Sequence, residues 1–135
     1  MLILLEGPAG GGKSQIALML ADDPDVLIAD VTRLWSAVGG YERPYPIRSE
    51  DDPALAAALY VQATVARYAL RQGLDVVVTT SRRGQQERWQ ELADEAGTSM
   101  SVQTVDPGEQ VVRDRLAVDG VLSDACEGAI GRWYG

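Results

Sequence analysis

The stretch Leu2-Ile3-Leu4-Leu5-Glu6-Gly7-Pro8-Ala9-Gly10-Gly11-Gly12-Lys13-Ser14, continuing through Gln15-Ile16-Ala17-Leu18-Met19-Leu20-Ala21, decides the fold. Four apolar residues in a row read as a buried strand, and the run from Ser14 to Ala21 reads as a helix. Between them Gly7 to Ser14 completes the pattern G-x-x-x-x-G-K-[ST], a phosphate-binding loop. Glycines let the backbone curl until successive N–H groups point inward at phosphate oxygens, and the helix that follows adds its positive N-terminal end. Lys13 would reach the outer phosphates, and the Ser14 hydroxyl would hold a bridging magnesium ion. The bland alternative is a flexible glycine turn that contains a lysine, but the strand before and the helix after argue against it.

Composition narrows the setting of that loop. At 135 residues with 46% hydrophobic residues, the chain has the length and the apolar content of one domain, residues 1–135, with a real core. One cysteine, Cys126, excludes an internal disulfide framework and a cysteine-cluster zinc site, and the absence of histidine removes the usual general base. A reduced, cytoplasmic setting fits this usage. Met1 to Leu5 is too short an apolar run to span a bilayer. Twelve basic against 20 acidic residues give a net charge of -8, which disfavours extended nucleic acid and anionic membrane; any nucleic-acid site would be a local arginine cluster. Lys13 is the only lysine and the other basic residues are arginines, the usage of a GC-rich genome. The lone lysine therefore stands where arginine would not do.

The rest of the chain alternates strand and helix patterns, which predicts a parallel sheet covered on both faces. Val26 to Ala29 reads as a second strand ending at Asp30, and Val31 to Val38 as a short helix. Gly39 to Arg48 holds two glycines and two prolines and reads as a surface loop. Asp52 caps and Pro53 opens a helix of about 20 residues with Leu55, Leu59, Ala63, Ala66 and Leu70 on one face. Asp75 to Thr80 is β-branched without alternation, as a central strand should be. Trp89, Leu92, Ala93 and Ala96 have helical spacing, Met100 to Val105 alternates as an edge strand with one wet face, and two further helices follow, from Asp106 to Ala117 and Ser123 to Tyr134. Cys126, Ala129, Ile130 and Trp133 form the inner side of the last. Trp35, Trp89 and Trp133 sit at helical spacings and read as packing residues.

These residues resemble the small P-loop kinases, a group that includes nucleoside and polynucleotide kinases and antibiotic phosphotransferases. The resemblance is specific at Gly7 to Ser14, with weaker echoes at Asp30 and around Arg113 and Arg115. The sequence is also similar to short ATPase-like proteins encoded among head genes of actinobacterial phages. The kinase resemblance implies a P-loop NTPase three-layer α/β sandwich with a mostly parallel sheet of four to five strands in the order 2-3-1-4. It also implies binding of ATP and Mg2+ by Gly7, Pro8, Ala9, Gly10, Gly11, Gly12, Lys13 and Ser14, with a small molecule or a nucleotide as phosphoryl acceptor.

In such kinases an aspartate just past the second strand takes the proton of the acceptor hydroxyl, and Asp30 holds the matching place. An N-cap on the helix at Val31 is the equal alternative, and the two roles are compatible. The departure from the family pattern lies in the third strand, which ends Val78-Thr79-Thr80-Ser81 where P-loop enzymes place an aspartate beside the metal. Asp75 is at the wrong end, and Asp30 would supply the missing charge at magnesium, with Thr79 or Thr80 holding a metal-bound water. Arg82 and Arg83 follow the central strand where α/β sheets place ligands, and of Arg113 and Arg115 at most one faces the nucleotide. Arg83 and Arg115 join Lys13 and Asp30 as catalytic candidates; solvated surface arginines are the alternative. The loop of residues 39–48, with Tyr41, Arg43, Tyr45 and Arg48, is the expected place of substrate or protein-partner choice. Without asparagine there is no Asn-Lys-x-Asp guanine reader, so ATP is the expected nucleotide. A hydroxyl-directed phosphotransferase and a weakly hydrolysing or non-catalytic nucleotide-binding accessory protein both fit.

Overall fold

The computed structural model describes residues 1–41, 51–118 and 124–135. Strand β1 (Leu2–Glu6) runs into the glycine loop and α1 (Lys13–Leu20), followed by β2 (Val26–Ala29) and α2 (Val31–Gly39). After α3 (Pro53–Arg71) come β3 (Asp75–Thr80), α4 (Gln86–Glu95) and β4 (Met100–Thr104), then α5 (Glu109–Val118) and α6 (Asp124–Tyr134). The four strands are all parallel and stand in the order β2-β3-β1-β4, the arrangement expected above. Arg43, Tyr45 and Arg48 lie outside the described residues. Among the described residues no helix is long and apolar enough to cross a membrane.

The central pair β1 and β3 carries the core, because both have a strand on either side. Leu2, Leu4, Val76 and Val78 are buried together with Ala66, Ala69 and Leu70 of α3 and Trp89, Leu92 and Ala93 of α4. Leu5 and Val77 pack with Ala17 of α1 and with Val105. A separate small cluster, Val112, Leu116, Cys126 and Ile130, joins α5 to α6. The first turns of α2 and α3 are closed by aspartates: Asp30 Oδ1 accepts from Thr32 N at 3.1 Å and Asp52 Oδ1 from Ala54 N at 3.0 Å.

Three expectations change. The buried stripe of α3 is Ala58, Gln62, Ala66, Ala69 and Leu70, while Leu55 and Leu59 are half-buried and line a cleft. Small alanines bring the helix close to the sheet, and its first turns overhang the sheet's end. Trp35 is not a core residue: it is half-buried on the same cleft and donates Nε1–H to Asp52 Oδ2 at 2.9 Å. β4 is the edge strand expected, but Ser101 to Thr104 are exposed in succession rather than in alternation. The helices pack over β1 and β3, and of β4 only Met100 reaches the core.

Candidate functional site

The glycine loop leaves β1 at the centre of the sheet, and its curl is sterically exacting. A Cβ on Gly7 would stand 2.0 Å from the Val105 carbonyl oxygen, and Gly12 takes φ 98°, a left-handed value that side-chain-bearing residues rarely adopt. Gly7 N donates to Thr80 O at 3.2 Å, and Gly11 N closes a turn on Pro8 O at 3.0 Å. α1 then starts with no side-chain cap at Gly12, so its first amides remain open toward the loop, as anion binding requires.

Lys13 is the first residue of that helix and is 6% exposed. Its ammonium folds back and donates to the carbonyls of Gly7 at 2.7 Å and Pro8 at 2.8 Å. Burial pulls its pKa down to about 8, and the nearby Asp30 charge opposes that fall in part.

Beside it, Ser14 Oγ donates its proton to Asp30 Oδ2 at 2.5 Å. A hydroxyl has one proton, so this bond leaves the Ser14 lone pairs for another partner. Asp30, at the tip of β2, is 3% exposed. Its Oδ1 accepts from Thr79 Oγ1 at 3.0 Å and from Thr32 N, and its Oδ2 also faces Arg33 Nε at 3.7 Å. Thr79 in turn accepts from Val31 N at 3.0 Å. The Thr79 hydroxyl is therefore spent on Asp30 and the α2 backbone, while that of Thr80, on the cleft, donates to Arg82 O at 3.4 Å and accepts from Arg82 N at 3.3 Å.

Gln62 is a residue that sequence reasoning missed. Fully buried in α3, it donates Nε2–H to Ala29 O at 2.9 Å and to Thr79 O at 2.7 Å. It ties the tips of β2 and β3 just where Asp30 and Thr80 emerge. The available signal was its place in the small-residue stripe, four residues after Ala58 and four before Ala66.

A cavity of about 760 Å³ opens over the loop. The loop from Ala9 to Ser14 forms its floor, and Arg33, Trp35, Leu55, Leu59, Arg82, Arg88, Arg115 and Arg132 are on its walls. Arg115 donates Nη1–H to Gly10 O at 3.2 Å, whereas Arg113 pairs with Glu127 at 2.7 Å and turns away from the loop. The spacing argument that only one of the two faces the loop thus resolves to Arg115. Arg83 is not on the cleft: its Nε donates to Trp133 O at 2.8 Å and its guanidinium lies 4.2 Å over the Trp133 ring. Its neighbour Arg82 takes the cleft-facing place. The structure brings Lys13, Ser14 and Arg115 onto the cavity, places Asp30 behind Ser14 rather than on its walls, and leaves Arg83 outside. Among the described residues no group of three or more acidic, histidine or cysteine side chains forms a metal cluster, so a metal here would depend on Ser14, Asp30 and its own phosphates.

A family model described as an AAA domain matches residues 2–118. No curated protein matches the chain in sequence. Among solved structures, a kinase-like protein from Chloroflexus aurantiacus has TM-score 0.74 at 17% identity, covering 99% of this chain and 78% of its own. Acinetobacter baumannii shikimate kinase in complex with shikimate has TM-score 0.55 at 17% identity, over 96% of this chain and 72% of that one. Chaetomium thermophilum Kti12 in complex with ADP-AlF3 has TM-score 0.56 at 18% identity, over 100% and 81%.

Proposed function

The chain belongs to the AAA domain family and is a kinase-like P-loop protein, and on that premise we propose that it is an ATP-dependent phosphotransferase acting on a hydroxyl acceptor, built as one domain over residues 1–135. The observation that carries the reading is the pair Ser14 and Asp30, set between a glycine loop with open amides and a cleft roomy enough for a second ligand.

The residues fit a magnesium nucleoside triphosphate. The Ser14 proton is taken by Asp30, so its oxygen is free to meet a cation, and Asp30 supplies the carboxylate that β3 lacks. When bound, magnesium would neutralise and orient the transferred phosphoryl group. Lys13 gives up the carbonyls of Gly7 and Pro8 for phosphate oxygens, and the added negative charge restores its full protonation. Arg115, anchored on the loop, adds a second cation where charge builds during transfer. Asp30 orients the Ser14 hydroxyl and would accept the proton of the acceptor hydroxyl once both Arg33 and the Ser14 hydroxyl release Oδ2. The site lies at the carboxyl ends of parallel strands, where open α/β sheets bind ligands. Cys126 is buried and, as the one cysteine of the sequence, has no second cysteine to bridge to, in keeping with a reducing, cytoplasmic environment.

One observation favours a second reading. β3 ends in Thr79 and Thr80, with Asp75 at its opposite end, so β3 brings no carboxylate to the site and that role falls to Asp30. Such a site suits an accessory protein that holds nucleotide with little turnover. Incubation with γ-labelled ATP, Mg2+ and a library of hydroxyl compounds separates the two. A phosphotransferase labels an acceptor, and Asp30→Asn lowers that labelling by about a hundredfold or more. Tight nucleotide binding with no transfer and no hydrolysis supports the accessory role instead.

A further inference from the structure

The charge of the cleft runs against the charge of the protein. The chain has 20 acidic residues and 12 basic ones, yet six of the 12 (Lys13, Arg33, Arg82, Arg88, Arg115 and Arg132) line this one cavity, with Asp114 as the only acid on its walls among the described residues. Two of the six belong to the loop: Lys13 donates to its carbonyls and Arg115 to Gly10 O. Arg33 is held by Asp30. Arg82 follows the tip of β3, and Arg88 lies in the first turn of α4, so the wall that carries them is distinct from the loop in sequence and in the strand that places it. Six cations about one cavity give it a positive field that favours entry of an anion.

The remaining wall is apolar: Trp35, Leu55 and Leu59 are half-buried there, and Asp52 holds the Trp35 ring in place through Nε1. A neutral polyol calls for several carboxylates to accept its hydroxyl protons, and a cationic acceptor for surplus negative charge; among the described residues these walls offer the single carboxylate of Asp114 against six cations. Resting on the phosphotransferase reading, we infer that the acceptor is a small organic anion with an apolar body, its charged group met by Arg82 and Arg88 and its body by Trp35, Leu55 and Leu59.

Phenyl phosphate and benzyl alcohol, which share a ring and differ in charge, serve as probes. Calorimetric titration into protein saturated with Mg2+ and a non-hydrolysable ATP analogue, so that the loop is filled, should show phenyl phosphate binding at least about tenfold more tightly than benzyl alcohol. Arg88→Gln alone should cut that preference several-fold, and Arg82→Gln with Arg88→Gln should bring it within about twofold, with uptake of the analogue checking that each variant is folded. Trp35→Ala should weaken both probes together. Equal binding of the two probes, no binding of phenyl phosphate, or a preference that survives the double variant overturns the inference while leaving the phosphotransferase reading in place. Failure of the wild-type protein to take up the analogue overturns that reading itself.

Discussion

The two sides of the cleft are built on opposite principles. On the loop side, Lys13, Asp30 and Thr79 are almost wholly buried, and each bonds to a neighbouring strand, helix start or loop carbonyl. On the facing side, Arg33, Arg82, Arg88 and Arg132 are long, exposed and placed on helices and a turn. The first arrangement is preorganised and intolerant of change; the second adapts to whatever enters. On the function proposed above, the difference would give phosphate chemistry to one wall and choice of acceptor to the other.

The sharpest way to break that contrast is Lys13→Ala. Loss of the one buried ammonium should lower phosphoryl transfer by about 10²–10³-fold, the scale for removing one preorganised charge-stabilising donor, and single-turnover kinetics measures it.

A smaller effect follows from the same group titrating. The Lys13 pKa of about 8 in the free protein rises when phosphate enters, so binding takes up a proton above that pH. Nucleotide affinity should fall as pH rises past 8, approaching about tenfold per unit, and calorimetry in buffers of differing ionisation enthalpy counts the proton. The sign for stability is opposite. The folded pKa lies below the ordinary lysine value of 10.5, so the unfolded chain binds more protons between the two, and the nucleotide-free protein gains stability as pH rises from 8 toward 10.5.

The smallest test concerns the apolar wall. Asp52 caps α3 and holds Trp35, and Tyr41 also donates its hydroxyl to it. Asp52→Ala should cost about 1 kcal/mol of stability, read by denaturant unfolding, and release the tryptophan ring, read as a shift of its fluorescence.

Much of this was legible in the sequence. The strands and helices follow from period and from Gly, Pro and Asp punctuation, and the eight-residue loop announced its chemistry because few other patterns curl a backbone that way. The sheet order came with the family resemblance rather than from periodicity. What stayed hidden depends on direction. Arg82 and Arg83 are adjacent in a turn, and no spacing rule says which of the two faces the cleft. Gln62 looks like a solvated position until the alanines around it draw the helix onto the sheet, and Trp35 has the spacing of a core residue but sits where α2 and α3 part. Of the two roles weighed equally for Asp30, the cap is present, and its link to Ser14 joins elements 16 residues apart, which local reading cannot see.

The open flank of β4 carries a consequence for handling the protein. Ser101, Val102, Gln103 and Thr104 line the sheet's last rim without a charge among them. Rims of that kind, lacking a lysine or a proline to repel newcomers, accept an extended chain from another molecule as readily as from their own. In concentrated or warmed samples, assembly into β-rich clumps should start along this border, well before the glycine loop loses its shape.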